Sequence, residues 1–387
     1  MKEPAIPTQS LLDLLCDLIR IESVNPSLSD SGSGELKIAR FISERLADGG
    51  LEVNLHNMGN QRANVVGRLR GSGEGPVLLL NGHMDTVGST GMTIKPFQPE
   101  YREGRVYGRG ALDMKGGLAA MIAAVLAVAE SGPPLKGDVL VACVADEEYI
   151  SRGTEALVDN YSADAAVVCE PTGLHIVIAH KGYAWARIDV FGRRAHGSRP
   201  DLGIDAIAKA GRILTELEHL ETALGSREPH PLLGVPSAHA SLIKGGVEIS
   251  SYPDRCRIAV ERRLLPDENA QSFSLELEAI LDRSQASDPD FKARHEVFFS
   301  RPALEVSPEQ PVIRILRDAC RQVLGKEPDT AGSSGWLDSA LLAAAGIPTV
   351  IFGPGGKGMH SAEEYVDFDS VVVTARILVR AILDFCG

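Results

Sequence analysis

Three short runs of this 387-residue chain are apolar almost throughout, and each stops at ionisable residues. Val77–Leu80 leads into Asn81-Gly82-His83-Met84-Asp85-Thr86, Asp138–Val144 into Ala145-Asp146-Glu147-Glu148, and Ala165–Cys169 into Glu170-Pro171-Thr172. A strand without a polar face has to be covered on both sides, so the chain needs helices above and below one sheet. Helical spacing supplies them. Leu11, Leu14, Leu15, Leu18 and Ile19 form a stripe that predicts a helix over 10–22, and Leu36–Leu46 reads as a second. An Ala-rich stretch predicts a long helix over Lys115–Glu130, stopped by Ser131-Gly132-Pro133-Pro134, and another helix is expected at Gly153–Asp159. With further strands at Leu51–Leu55 and Asn64–Leu69, strands and helices alternate as in an α/β sandwich.

The pattern changes after His180. Tyr183–Phe191 alternates, with Trp185, Arg187 and Asp189 against Ala186, Ile188 and Val190, as a half-exposed antiparallel strand does. Strands near Ser237–Lys244 and Arg255–Arg263, with helices over Ile204–Leu220 and Gln271–Arg283, fit a small α+β module. From Pro311 the α/β grammar returns: a helix to Leu324, a helix Ser339–Ala345, the strand Thr349–Phe352 and a closing helix Phe368–Phe385. The length is well above the roughly 150 residues expected of one domain. The expected organisation is one α/β domain built from 1–181 and 296–387, a mixed sheet between helices, interrupted by an α+β domain at 182–295.

A formal charge of -13, from 39 basic against 52 acidic residues, argues against nucleic acid or an anionic membrane as partner, since both need a basic face. The longest greasy run, Leu118–Ala129, is too short to span a bilayer, and the first ten residues, MKEPAIPTQS, hold no apolar core of a secretory signal. Six cysteines (Cys16, Cys143, Cys169, Cys256, Cys320 and Cys386) stand singly, which is neither a disulfide framework nor a zinc-knuckle spacing. A cytoplasmic protein is expected.

Functional groups in open α/β sheets collect at the carboxyl ends of strands, and here those ends are acidic. His83 and Asp85 lie two apart and share a face in extended chain; a carboxylate so placed orients an imidazole and raises its basicity. Asp113, in Gly108-Arg109-Gly110-Ala111-Leu112-Asp113-Met114-Lys115-Gly116-Gly117, stands at a helix start, where it would serve either as an N-cap or as a carboxylate aimed at a cation. A dinucleotide-binding turn fails there, because Asp113 occupies the third glycine position. Glu147 and Glu148 point to opposite sides of their strand end, so one can hold a metal while the other moves a proton. After the last strand, Gly353-Pro354-Gly355-Gly356 leads to Met359-His360-Ser361-Ala362-Glu363-Glu364-Tyr365.

Together His83, Asp113, Glu148, Glu170 and His360 supply two imidazoles and three carboxylates. That set suits two borderline divalent ions, each taking one His and one Glu, with Asp113 between them. Two such ions about 3.5 to 4 Å apart share a hydroxide and polarise a carbonyl together. Glu147 is then the general base that carries the proton to the leaving nitrogen.

The segments NGHMDTV, GRGALDMKGG, ADEEY, CEPT and GMHSAEEYV occur in the order found in the M20 metallopeptidase family, and over almost its whole length the chain resembles that family. Its members include acetylornithine deacetylase, succinyl-diaminopimelate desuccinylase, aminoacylase-1 and glutamate carboxypeptidase types. The resemblance implies His83 and Glu170 on one zinc, Glu148 and His360 on the other, Asp113 bridging, Asp85 as partner of His83, Glu147 as base, and a cis peptide at Asp113-Met114. Cobalt or manganese accept similar ligands. It further implies that 182–295 is a lid and dimerisation domain, giving a homodimer, and that His196 in Gly192–Pro200 stabilises the oxyanion of the substrate carbonyl. Arg263, in a segment where Glu261 replaces the usual Asp, would grip a substrate carboxylate. Ser250 stands where the family has a substrate-contacting Asn, which leaves that contact open, and Asp338 matches a recurrent Asp beside Trp336 in a substrate loop. The other histidines (His56, His175, His180, His219, His230, His239 and His295) have no acidic neighbours in a motif context and read as structural or surface residues. The activity so implied is hydrolysis of the amide of an N-acyl amino acid, with a dipeptidase or carboxypeptidase as the alternative; the acyl group and amino acid are set by loops whose geometry sequence does not display. A non-catalytic relative would have lost a ligand or the base, and all are present.

Overall fold

The computed structural model describes residues 4–387, so the first three of the ten amino-terminal residues read above lie outside it. Two compact units emerge: one of residues through Ile178 with Val306–Ala331 and Leu337–Gly387, the other of Ala179–Glu305 with Gly332–Trp336.

The first unit begins with α1 (Thr8–Arg20) and α2 (Leu36–Asp48), followed by β1 (Glu52–Gly59), β2 (Arg62–Leu69), β3 (Leu78–His83) and the short β4 (Glu100–Arg102) and β5 (Arg105–Tyr107). Next come α3 (Gly116–Ser131), β6 (Val139–Val144), α4 (Arg152–Asn160), β7 (Ala165–Val168) and β8 (Ile176–His180). The apolar stripe of α1 is buried as its spacing predicts. β3, β6 and β7 are buried at every position, and their order in the sheet explains why: β1-β2-β6-β3-β7-β15-β8, with β15 (Thr349–Ile351) arriving late in the chain. β6, β3, β7 and β15 run parallel to one another, while β1 pairs antiparallel with β2, β2 with β6, and β8 with β15, so the sheet is mixed. Four parallel strands therefore release their chains at one edge of the sheet, and those are the strands followed by His83, Glu147, Glu170 and His360. The Ala-rich α3 is buried on nearly every side, packed on α1, β3 and β6, which accounts for its apolar composition.

In the second unit, β9 (Gly182–Phe191), α5 (Ala206–Gly225), β10 (Ser237–Gly245), β11 (Arg255–Leu264), α6 (Ala270–Ser287) and β12 (Lys292–Arg301) form an antiparallel sheet ordered β10-β11-β9-β12. Ala184, Ala186, Ile188 and Val190 of β9 face a core that holds Ile213 and Leu217 of α5 and Phe273, Leu277 and Ile280 of α6. Each helix starts on a side-chain cap, Asp205 for α5 and Asn269 for α6, the latter reciprocated by Ser272. β13 (Leu304–Glu305) pairs with the end of β8 inside this unit.

The chain returns through α7 (Pro311–Leu324), β14 (Thr330–Ser333), α8 (Ser339–Ala344), β15, the short β16 (Gly356–Lys357) and β17 (Tyr365–Asp367), and α9 (Phe368–Cys386). β16, β17, β5 and β4 form a small sheet of their own. The insert expected at 182–295 differs from the unit observed. An end at 295 would cut β12, which pairs with β9 from Phe191 to Tyr183, and the unit runs on to Glu305. β12 escapes the periodicity because its sequence, KARHEVFFSR, mixes charge with aromatic residues on both faces.

Candidate metal centre

His83 ends β3 and is 2% exposed. Its Nδ1 lies 2.9 Å from the backbone carbonyl of Asp85, which only accepts, so Nδ1 carries a proton and Nε2 is left to face outward. The Asp85 carboxylate, expected as the orienting partner, lies 3.6 Å away; its nearer partners are the backbone N–H of Glu147 (3.2 Å), that of Glu148 (3.1 Å) and Asn25 Nδ2 (2.8 Å). Asp85 thus holds the acidic turn as well as standing behind His83.

Asp113 lies in a turn, Ala111–Lys115, with extended rather than helical backbone and a cis bond to Met114. The helix expected from Lys115 begins at Gly116, so Asp113 stands in the turn before it rather than capping it. Asp113 Oδ1 is 3.0 Å from His83 Nε2, and its Oδ2 is 3.1 Å from His360 Nε2. One carboxylate so divides its two oxygens between two imidazoles. Glu170 Oε1 lies 3.5 Å from His83 Nε2, and Glu148 Oε2 lies 3.0 Å from His360 Nε2. The ligand atoms of His83, Asp113 and Glu170 lie within 4.8 Å of one another, as do those of Asp113, Glu148 and His360. Glu147 belongs to neither triad, yet its Oε2 is 4.0 Å from His83 Nε2. The five expected ligands are thus brought together, with Glu147 beside them.

The electrostatics follow from crowding carboxylates in a buried place. Burial, then neighbouring carboxylates, push the Glu147 and Glu170 carboxyls well above the usual range, against the pull of His83. Burial and Asp113 raise Glu148 to about 7. Hydrogen bonds to Asp113 and Glu148 raise His360 to about 10; burial opposes protonation of His83, but Glu170 and Asp113 outweigh it. Burial also works against the Asp113 anion, yet the two imidazoles hold its carboxyl well below the usual range. These acids demand positive charge. The donor set, nitrogen and carboxylate oxygen with a buried Glu148 Oε1 that has no hydrogen-bond partner, fits divalent cations.

The remaining candidates divide between the units. Asp338, expected at the substrate, is 1% exposed, and its Oδ2 accepts from Thr154 Oγ1 at 2.6 Å. Packing of α4 against α8 encloses it, and burial raises its carboxyl to about 6. His196, Ser250 and Arg263 belong to the second unit. The Gly197 N–H donates to Ser250 O at 2.7 Å and His196 bridges Ser251, so two segments about fifty residues apart meet through backbone. The Ser250 side chain itself is exposed. His196 Nδ1 accepts from the Ser198 N–H at 3.2 Å, which leaves the proton of a neutral ring on Nε2. Arg263 is already paired, its Nε 2.7 Å from Glu261 Oε1 and its guanidinium over the Tyr183 ring. Trp336 donates to Pro302 O and packs edge-on to Tyr183.

Several residues escaped the sequence reading. Arg62 reaches Glu35 (3.1 Å), Asp146 (2.8 Å) and Asn25 Oδ1 (2.7 Å), and Asn25 in turn donates to Asp85. Glu364 and Arg109 pair beside the Asp113 turn at 2.6 Å. The strand pattern starts at Asn64, two residues beyond Arg62, so neither Arg62 nor Asn25 falls in a pattern that marks it.

Residues 79–384 match the model of peptidase family M20/M25/M40. The chain is 32% identical over 369 residues to an acetylornithine deacetylase of Myxococcus xanthus, covering 94% of this chain and 93% of that one. It is 28% identical over 416 aligned positions to an N-formyl-4-amino-5-aminomethyl-2-methylpyrimidine deformylase of Bacillus subtilis strain 168, covering 98% and 95%. Its fold is similar to that of a tripeptidase of Staphylococcus aureus, with a TM-score of 0.81 at 23% identity over 98% of this chain and 99% of the other.

Proposed function

The chain belongs to peptidase family M20/M25/M40, and from that premise we propose that it is a two-metal hydrolase of the amide bond in N-acyl amino acids. The observation that carries this reading is the pair of ligand triads sharing Asp113, with Glu147 4.0 Å from His83 Nε2 but a member of neither. Bound there, two divalent ions supply Lewis-acid polarisation of a carbonyl and activation of water. His83, Asp113 and Glu170 would hold one, and Asp113, Glu148 and His360 the other. Zinc suits this nitrogen and oxygen set, with cobalt or manganese as alternatives.

Glu147 takes the proton from the attacking water and delivers it to the leaving amine, so that amide and water become carboxylate and amine. Its place beside His83 Nε2, outside both ligand triads, supports the role. Asp85 holds the backbone of Glu147 and thereby aims it. His196, whose Nε2 carries the ring proton, is our candidate donor to the developing oxyanion. Arg263 is our candidate for a substrate carboxylate, in exchange for Glu261; we assign no contact to the exposed Ser250 or the enclosed Asp338.

A reducing, cytoplasmic setting is supported by six free cysteines, five of them buried. The same machinery would cleave a peptide amide, so the test offers N-acetyl, N-succinyl and N-formyl amino acids beside dipeptides to the zinc- or cobalt-loaded protein. Glu147→Gln is expected to retain metal while turnover falls about 10²–10⁴-fold. Turnover that survives in Glu147→Gln, or in metal-free protein, rejects the reading.

A further inference from the structure

Glu364 lies four residues beyond His360, is 1% exposed, and accepts four hydrogen bonds on one carboxylate. Its Oε2 takes Arg109 Nη1 at 2.6 Å and the Gly110 N–H at 3.1 Å. Its Oε1 takes the N–H groups of Leu112 at 2.9 Å and of Asp113 at 3.1 Å. The backbone repeats the link, since the Glu364 carbonyl accepts from Gly108 N–H at 3.1 Å, and β17 pairs with β5 directly beyond. Arg109 closes the loop from the other side: its Nη2 donates to the carbonyl of Ser361, the residue after His360, and its Nε to that of Gly88.

The chain between Gly108 and Asp113 needs this support. Gly110 is in the left-handed region with φ 77, and Asp113 and Met114 leave helical geometry, so the N–H groups of this turn cannot all be satisfied within a helix. Glu364 supplies the acceptor for three of them. One buried carboxylate and one guanidinium thus join the loop that carries His360 to the turn that carries Asp113.

We propose that Glu364, with Arg109, is a positioning residue that sets the spacing of His360 and Asp113 and so selectively tunes the affinity of the Asp113–Glu148–His360 triad for a divalent cation. The inference rests on the two-metal reading above. In the His83–Asp113–Glu170 triad only Asp113 depends on this link, whereas two members of the other triad do. Residues behind metal ligands typically alter affinity by about 10–100-fold.

The test titrates zinc into the metal-stripped full chain by calorimetry. Wild type is expected to bind two ions. Glu364→Gln puts an amide N–H among donors that need an acceptor; it is expected to weaken one site by about 10–100-fold and the other by markedly less. Arg109→Lys, which keeps the charge but loses the forked contacts, is expected to weaken the same site more mildly, and it carries the test if Glu364→Gln does not fold. His360→Ala identifies the site: adding Glu364→Gln to it is expected to change the remaining affinity by less than about threefold, as for two changes acting on one site. Two undisturbed sites in a folded Glu364→Gln, or equal weakening of both, overturns the proposal. A wild type that binds no zinc, cobalt or manganese overturns the two-metal reading itself, and the proposal with it.

Discussion

Asp113 is the one side chain common to both candidate ligand triads. Its oxygens stand 3.0 Å from His83 Nε2 and 3.1 Å from His360 Nε2, so its removal deprives both triads while the loss of an imidazole deprives one. Asp113→Ala is therefore expected to bind neither metal tightly, and His360→Ala to keep one equivalent after dialysis, as measured by elemental analysis. The reverse order of losses would remove Asp113 from the bridge. His83, Glu147, Glu148 and Glu170 were legible in sequence because they follow apolar runs, Asp113 because it stands just before a helix, and His360 because it follows the glycine-rich segment after the last strand. Their supports were not. Asn25 meets Asp85 across 60 residues, Arg62 meets Asp146 across 84, and Glu364 meets Asp113 across 251. No local pattern encodes such a meeting.

At the scale of elements, the buried strands β3, β6 and β7 declare themselves because full burial leaves no polar alternation to misread. β12 is the counterexample: half exposed and carrying charge on both faces, its sequence shows no clean alternation that marks a strand. β9 shows what alternation leaves out. Asp189 points away from the apolar core yet is buried, because Arg257 and Arg255 of β11 and Arg294 of β12 surround it. The Arg257 hydrogen bond is the largest influence, and with Arg255 it lowers the carboxyl from 3.8 to about 2 against a smaller cost of burial. A group whose pKa is depressed by folding stabilises the fold above its unfolded value and loses that contribution as pH falls through its folded value. Wild type is thus expected to be more stable than Asp189→Asn at neutral pH, with the gap closing between pH 3.8 and about 2 in thermal melts. A gap that persists at pH 2 would assign the effect to packing.

For the whole molecule, the second unit exposes an unusual edge. β10 is the terminal strand of its sheet, with Leu242 72% and Ile243 53% exposed, followed by the exposed Val247 and Ile249. An open apolar edge is a template for another strand, and the occupant that fits the homodimer expected from the family resemblance is β10 of a second copy. If two copies pair through this edge, Ile243→Lys with Leu242→Glu lowers the sedimentation coefficient to that of a monomer; a coefficient equal to that of wild type rejects pairing through β10. The sequence by itself determined the α/β class, its interruption by a second unit and which ionisable residues stand at the strand ends, because periodicity and strand-end chemistry are local properties of a chain. Only the tertiary structure decided that Asp113 divides its oxygens between two imidazoles, that Asp85 grips the acidic turn rather than chiefly His83, and that Glu364 ties the two ligand loops together. Those outcomes depend on which distant donors a buried carboxylate finds, and that is settled by packing.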